Sequence, residues 1–148
     1  MANIEEIKKL REESGISVIE CQKALKEAGG DLNAAKEILK NWGKDFAKSR
    51  TEKAAGQGIV DSYIHCGGKV GVMIELRCET DFVAKSDDFK NLSHEICLQI
   101  AAISPQEIPL LEQPWIKDQS KTMKDLFDAA IAKLGENIVL EKFVRYEL

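Results

Sequence analysis

His94 and Cys97 stand three residues apart in a stretch of helical periodicity, a separation at which two side chains can meet. A thiol beside an imidazole is the pairing a cysteine nucleophile needs, but no group to orient the histidine is identifiable nearby. His65 and Cys66 are neighbours on a predicted strand and so point to opposite faces. Cys21, Cys66, Cys78 and Cys97 contain no C-x-x-C pair and no zinc-ligand spacing, which reads as small buried hydrophobes in a reducing compartment. Glu79, Asp81, Asp87 and Asp88 are the one cluster of acids with the composition of a magnesium site or an acid/base pair. Their spacing suits helix capping and solvation better. Neither a glycine-rich phosphate loop nor a nucleophile elbow occurs, so the chain is not expected to bind a nucleotide itself. No catalytic residue, metal ligand or cofactor is assigned.

What the acidic cluster does contain is a pair of apolar residues, Phe82 and Val83, between a predicted strand and a predicted helix. Two readings are open for Phe82. It folds back onto the core, or it is presented on a rigid corner for insertion into another protein's pocket, the usual form of an interface anchor.

The elements that hold this corner are legible in the periodicity. Upstream, Val70, Val72, Ile74, Leu76 and Cys78 alternate with polar or small residues, as on a strand with one buried face. Gly67-Gly68 reads as a two-residue hairpin turn joining it to a strand over 57–66, with Val60, Ser62 and Ile64 on one face and Ile59 and Tyr63 on the other. Downstream, Phe89, Leu92, Ile96, Ile100 and Ile103 recur at helical steps behind an N-cap at Ser86. Thr122 is expected to cap a further helix ended by Gly135. Ile138 to Glu147 reads as a last strand with Ile138, Leu140, Val144 and Tyr146 on one face and Val139 and Phe143 on the other. Apolar residues on both faces suggest a central strand or one covered by a second subunit, which makes a homodimer an expectation.

The first 43 residues read as three short helices: Ile4, Ile7 and Leu10 facing the core up to Gly15; Cys21, Ala24, Leu25 and Ala28 after a cap at Ser17; and Leu32, Ala35, Ile38, Leu39 and Trp42 after a cap at Asp31, closed by Gly43. At about 100 degrees per residue, Ile19 lies opposite Cys21 and should be exposed, with Val18 half covered. Residues 44–56 read as a solvated linker and 57–148 as a second unit. The fold class is α+β: a three-helix N-terminal domain, then antiparallel strands with helices on one face.

The 148-residue chain carries a net charge of −4, which argues against nucleic acid as the main partner. No apolar run approaches the roughly 20 residues needed to span a bilayer, and the N-terminal residues lack the regions of a signal peptide, so a cytoplasmic location is expected.

Leu10-Arg11-Glu12-Glu13-Ser14-Gly15, Cys21-Gln22-Lys23-Ala24-Leu25 and Gly30-Asp31-Leu32 resemble the ubiquitin-associated-type domain that opens elongation factor Ts. The segment from Glu75 to Phe89, with Thr80-Asp81-Phe82-Val83 at its centre, is similar to that family's most characteristic stretch. Leu110 to Trp115, Gly135 to Ile138 and Phe143 to Glu147 resemble its later motifs in order. The long helical hairpin usual in the family has no counterpart here, where only Ser104 to Pro109 link the helix to the next motif.

The resemblance implies guanine nucleotide exchange on elongation factor Tu without covalent catalysis. It implies that Thr80, Asp81, Phe82 and Val83 form a loop that displaces the partner's magnesium, and that Arg11, Val18 and Ile19 form a second contact. Two other functions stay open: a non-exchanging adaptor that uses the three-helix unit, and a cysteine-dependent enzyme built on His94 and Cys97.

Overall fold

The computed structural model describes residues 3–65 and 67–148; the expectations placed on Cys66 lie outside them. Helices α1 (Ile4–Ser14), α2 (Val18–Glu27) and α3 (Leu32–Arg50) come first. Asn3, Ser17 and Asp31 cap them, and Gly15 ends α1 in the left-handed conformation that favours glycine. Leu10, Cys21, Ala24, Leu25, Ala35 and Leu39 form their common core. Ile4, expected on that core face, is instead 70% exposed.

Gly43 does not end α3. The helix runs on through it to Arg50, so most of the expected linker is helical. Gly43 is buried with ordinary helical backbone, and a Cβ placed on it would sit 3.2 Å from the Ala132 methyl. Its missing side chain serves a close helix crossing rather than a stop. Four residues later, Ala47 enters the second core, so α3 contributes to both.

Strands β1 (Gln57–Ile64), β2 (Val70–Cys78) and β5 (Ile138–Glu147) form an antiparallel sheet in the order β1-β2-β5. The loop between β1 and β2 is longer than two residues, since His65 N–H donates to the Val70 carbonyl and Gly68 N–H to that of His65. Helices α4 (Asp81–Ala84) and α5 (Asp87–Ala102) follow β2; β3 (Pro114–Trp115) and β4 (Asp118–Thr122) make a small ribbon; α6 (Met123–Leu134) precedes β5. Val72, Ile74, Leu76 and Cys78 on one face of β2 pack with Phe89, Ile96 and Ile100 of α5 in the second core.

The last strand departs from its expected faces. Leu76 pairs with Leu140 and Glu75 with Lys142, so Glu141 is the extra residue of a bulge. The bulge puts Phe143 opposite Ile74 and Arg145 opposite Val72, in line with Ile138 and Leu140, and turns Val139, Val144 and Tyr146 to the other face. β5 is moreover an edge strand; β2 is the central one.

The short segment after α5 is closed by a buried pair of amides. Gln99 Nε2 donates to Gln113 Oε1 at 2.9 Å, and Gln113 Nε2 donates to the Ile108 carbonyl at 2.7 Å. Against α3, α6 sets Asp125 facing Lys44 at 3.4 Å and Lys40 at 3.9 Å. Burial opposes ionisation of Asp125, but the Thr122 N–H and the two lysines outweigh it and hold the carboxyl below its ordinary value.

Candidate functional site

Thr80 leaves β2 in extended conformation and caps α4, its Oγ1 accepting from the Val83 N–H at 3.3 Å. In this single turn, successive side chains point in different directions. Val83 and Ala84 are 5% and 2% exposed and belong to the second core, whereas Phe82 is 86% exposed. Phe82 does not fold back. Val83, expected beside it as a contact residue, faces the interior and seats the corner instead.

The corner is fixed from three sides. Ser86 Oγ donates to the Val83 carbonyl at 2.7 Å and accepts from the Phe89 N–H at 3.3 Å, joining the end of α4 to the start of α5. Phe89 is fully buried immediately beyond. At the other end, Glu136 reaches in from the turn after α6. Its Oε1 accepts the N–H groups of Thr80 at 2.9 Å and Glu79 at 3.1 Å, and its Oε2 accepts the Thr80 hydroxyl at 2.6 Å. From below, Arg50 Nη2 donates to Glu79 Oε2 at 2.6 Å while Glu79 Oε1 accepts the Asn137 N–H at 3.2 Å. Asn137 Nδ2 in turn donates to the Lys53 carbonyl at 2.9 Å.

Three of the four acids suspected of a shared site are engaged separately. Glu79 faces Arg50, Asp81 pairs with Lys85 at 2.7 Å, and Asp88 pairs with Lys133 at 3.1 Å. No group of metal-ligating side chains gathers among the described residues. The cysteine–histidine pair does not form either: Cys97 is fully buried and His94 is exposed, its ring set edge-on to Tyr63. Burial, with Asp61 nearby, pushes the Cys97 thiol up to about 12. Burial and then Glu136 push Cys78 to about 11. Neither is a thiolate at neutral pH.

On the helical unit, Ile19 is 65% exposed as its helical phase required, and Val18 is exposed beside it. Val18 and Arg11 line one groove with Ile4 and Ile7.

The sequence matches the family described as Elongation factor TS over residues 79–148, which begins at the base of this corner. Over the whole chain, an elongation factor Ts of Coprothermobacter proteolyticus is 42% identical, with 96% of this chain and 95% of that protein covered. The chain belongs to the elongation factor Ts family. Elongation factors Ts of a Thermoanaerobacter species and of Moorella thermoacetica are each 39% identical, covering 99% and 97% of this chain. The Coprothermobacter alignment runs over 188 positions, more than the 148 residues here, so that elongation factor Ts carries residues this one lacks.

The protein is thus a translation elongation factor. Among the described residues no helix is long and apolar enough to cross a membrane. The residues that hold the corner, Arg50, Glu79, Glu136 and Asn137, carry no sequence signal that joins them. Glu136 and Asn137 stood out only through their place in a family-like motif.

Proposed function

We propose that this protein binds elongation factor Tu carrying GDP and promotes release of the nucleotide by displacing its magnesium ion, acting as a guanine nucleotide exchange factor with no covalent step or cofactor of its own. The observation that carries the reading is the exposed Phe82 on a corner whose neighbours Val83 and Ala84 are buried. An aromatic ring held out by a fixed backbone loses little conformational entropy when it enters a pocket. Thr80 supplies the cap, Asp81 and Phe82 enter the partner, and Arg11, Val18 and Ile19 make the second contact. By linkage, a protein that binds the nucleotide-free GTPase more tightly than its GDP form lowers GDP affinity by the same factor. Burying one phenylalanine contributes about 1.5–3 kcal/mol, or about one to two powers of ten.

In this reading the three helices up to Gly43 form the docking unit, the sheet with α5 and α6 forms the exchange unit, and the protein works in the cytoplasm without direct contact to nucleic acid. The helix-free face of the sheet carries exposed Val60, Ile64, Met73, Val144 and Tyr146. A second copy of the chain is the proposed occupant, and sedimentation that gives only monomer at high concentration removes it.

The test is the release rate of a fluorescent GDP analogue from elongation factor Tu with excess competing nucleotide. The parent protein is expected to accelerate release and Phe82→Ala to lose at least about tenfold of that effect. Binding without acceleration, indifferent to Phe82, is the outcome that favours an adaptor instead.

A further inference from the structure

Both contact regions of the proposed exchange factor are attached to one helix. At its N-terminal end α3 packs Ala35 and Leu39 into the core that carries Arg11, Val18 and Ile19; past Gly43 it packs Ala47 into the core that seats Val83. Its position against α6 is fixed by the close approach of Gly43 to Ala132 and by Lys40 and Lys44 facing Asp125. Its last residue is Arg50. The guanidinium lies 5.9 Å from the centre of the Phe46 ring, one turn earlier, and donates to Glu79, the residue before the cap of the Phe82 helix. Arg50 Nε is buried without an acceptor, which works against stability. A partly buried ion pair is also a weak stabiliser compared with well-packed apolar groups. The arginine is better suited to fixing a geometry.

We infer that Arg50 is a positioning residue for exchange: it ties α3, and with it the contact region at Arg11, Val18 and Ile19, to the base of the Phe82 corner. The inference rests on the exchange-factor reading above. Two contact regions on one rigid body act as linked sites, and the second engages at an effective concentration set by the stiffness of the link. Releasing Glu79 from Arg50 softens that link and lets Phe82 move relative to the first contact. Binding is then weakened only while Phe82 is present to be positioned.

The experiment is a double-mutant cycle. Affinity for nucleotide-free elongation factor Tu is titrated for the parent, Arg50→Met, Phe82→Ala and the double variant, with thermal melting to check folding. Glu79→Gln, which keeps an acceptor for the Asn137 N–H, is carried through the same cycle as a milder second variant. Positioning predicts that Arg50→Met and Glu79→Gln each weaken binding by roughly threefold or more when Phe82 is present, and change it little when Phe82→Ala is already in place. An equal loss in both backgrounds marks a merely structural role and overturns the inference, as does no loss in either. Failure of the underlying reading is distinguishable, because then the parent neither binds the GTPase nor responds to Phe82→Ala.

Discussion

Glu136 and Thr80 lie 56 residues apart in the chain and meet in a two-point clasp: the Thr80 hydroxyl donates to one carboxylate oxygen at 2.6 Å and the Thr80 N–H to the other at 2.9 Å. Phe82 is two residues from this clasp, so its direction is set by a residue of another element. Hydrogen bonds to a charged acceptor are each worth about 1.5–3 kcal/mol, discounted here because Thr80 is exposed to water. Glu136→Ala is therefore expected to slow nucleotide release at saturating protein by about tenfold and to lower the melting temperature by a few degrees. Unchanged release with that variant would show that the corner holds its shape without the clasp.

Phe82 and Val83 are adjacent but should respond oppositely to truncation. Val83→Ala removes buried methyl groups from the core and should lower unfolding free energy by about 1–3 kcal/mol. Phe82→Ala touches no core and should leave it within about 0.5 kcal/mol. Chemical denaturation of both variants decides this; a large stability loss for Phe82→Ala would mean that the ring is packed in solution.

Gly43 is kept small by Ala132. A larger side chain forces α3 and α6 apart, so Gly43→Leu should destabilise by about 1–3 kcal/mol, and adding Ala132→Gly should recover part of the loss. Melting curves of the single and double variants measure the recovery. Strict additivity would place the cost elsewhere.

The alkaline limb of stability should report the buried thiols. Cys78 and Cys97 hold their protons in the folded chain up to about 11 and about 12, whereas their ordinary value is 9.0. Above pH 9 the unfolded chain releases protons that the folded chain retains, so stability falls as pH rises through that window. Below it the contribution is fully present. In the native protein at pH 8, both thiols should resist iodoacetamide and become labelled only on unfolding, as read by peptide mass spectrometry; rapid native labelling of Cys97 would contradict its burial.

Much of the architecture is written locally. The caps at Ser17, Asp31, Ser86 and Thr122, the helix stops at Gly15 and Gly135, and the alternation along β2 all hold in the structure. They hold because each depends on residues within a turn or two, where backbone sterics and side-chain-to-backbone hydrogen bonds act. The exposure of Ile19 followed from helical phase alone. For Phe82 the sequence left two directions open, since a residue between a strand and a helix has no period to obey.

Tertiary structure decided that direction, and it decided three further points by packing. Gly43, a stop signal when read locally, continues α3 because Ala132 fills the space a side chain would need and Ala47 finds a second core. The bulge at Glu141 reversed the outer half of β5, because a strand's faces are fixed by its partner's register once alternation is broken. The polar groups beneath Phe82 come from the ends of α3, β2 and α6, with Arg50 and Glu79 29 residues apart. Charged residues at such distances carry no mutual pattern in a single sequence. Only the fold, by bringing those ends together, determines which of them hold the corner.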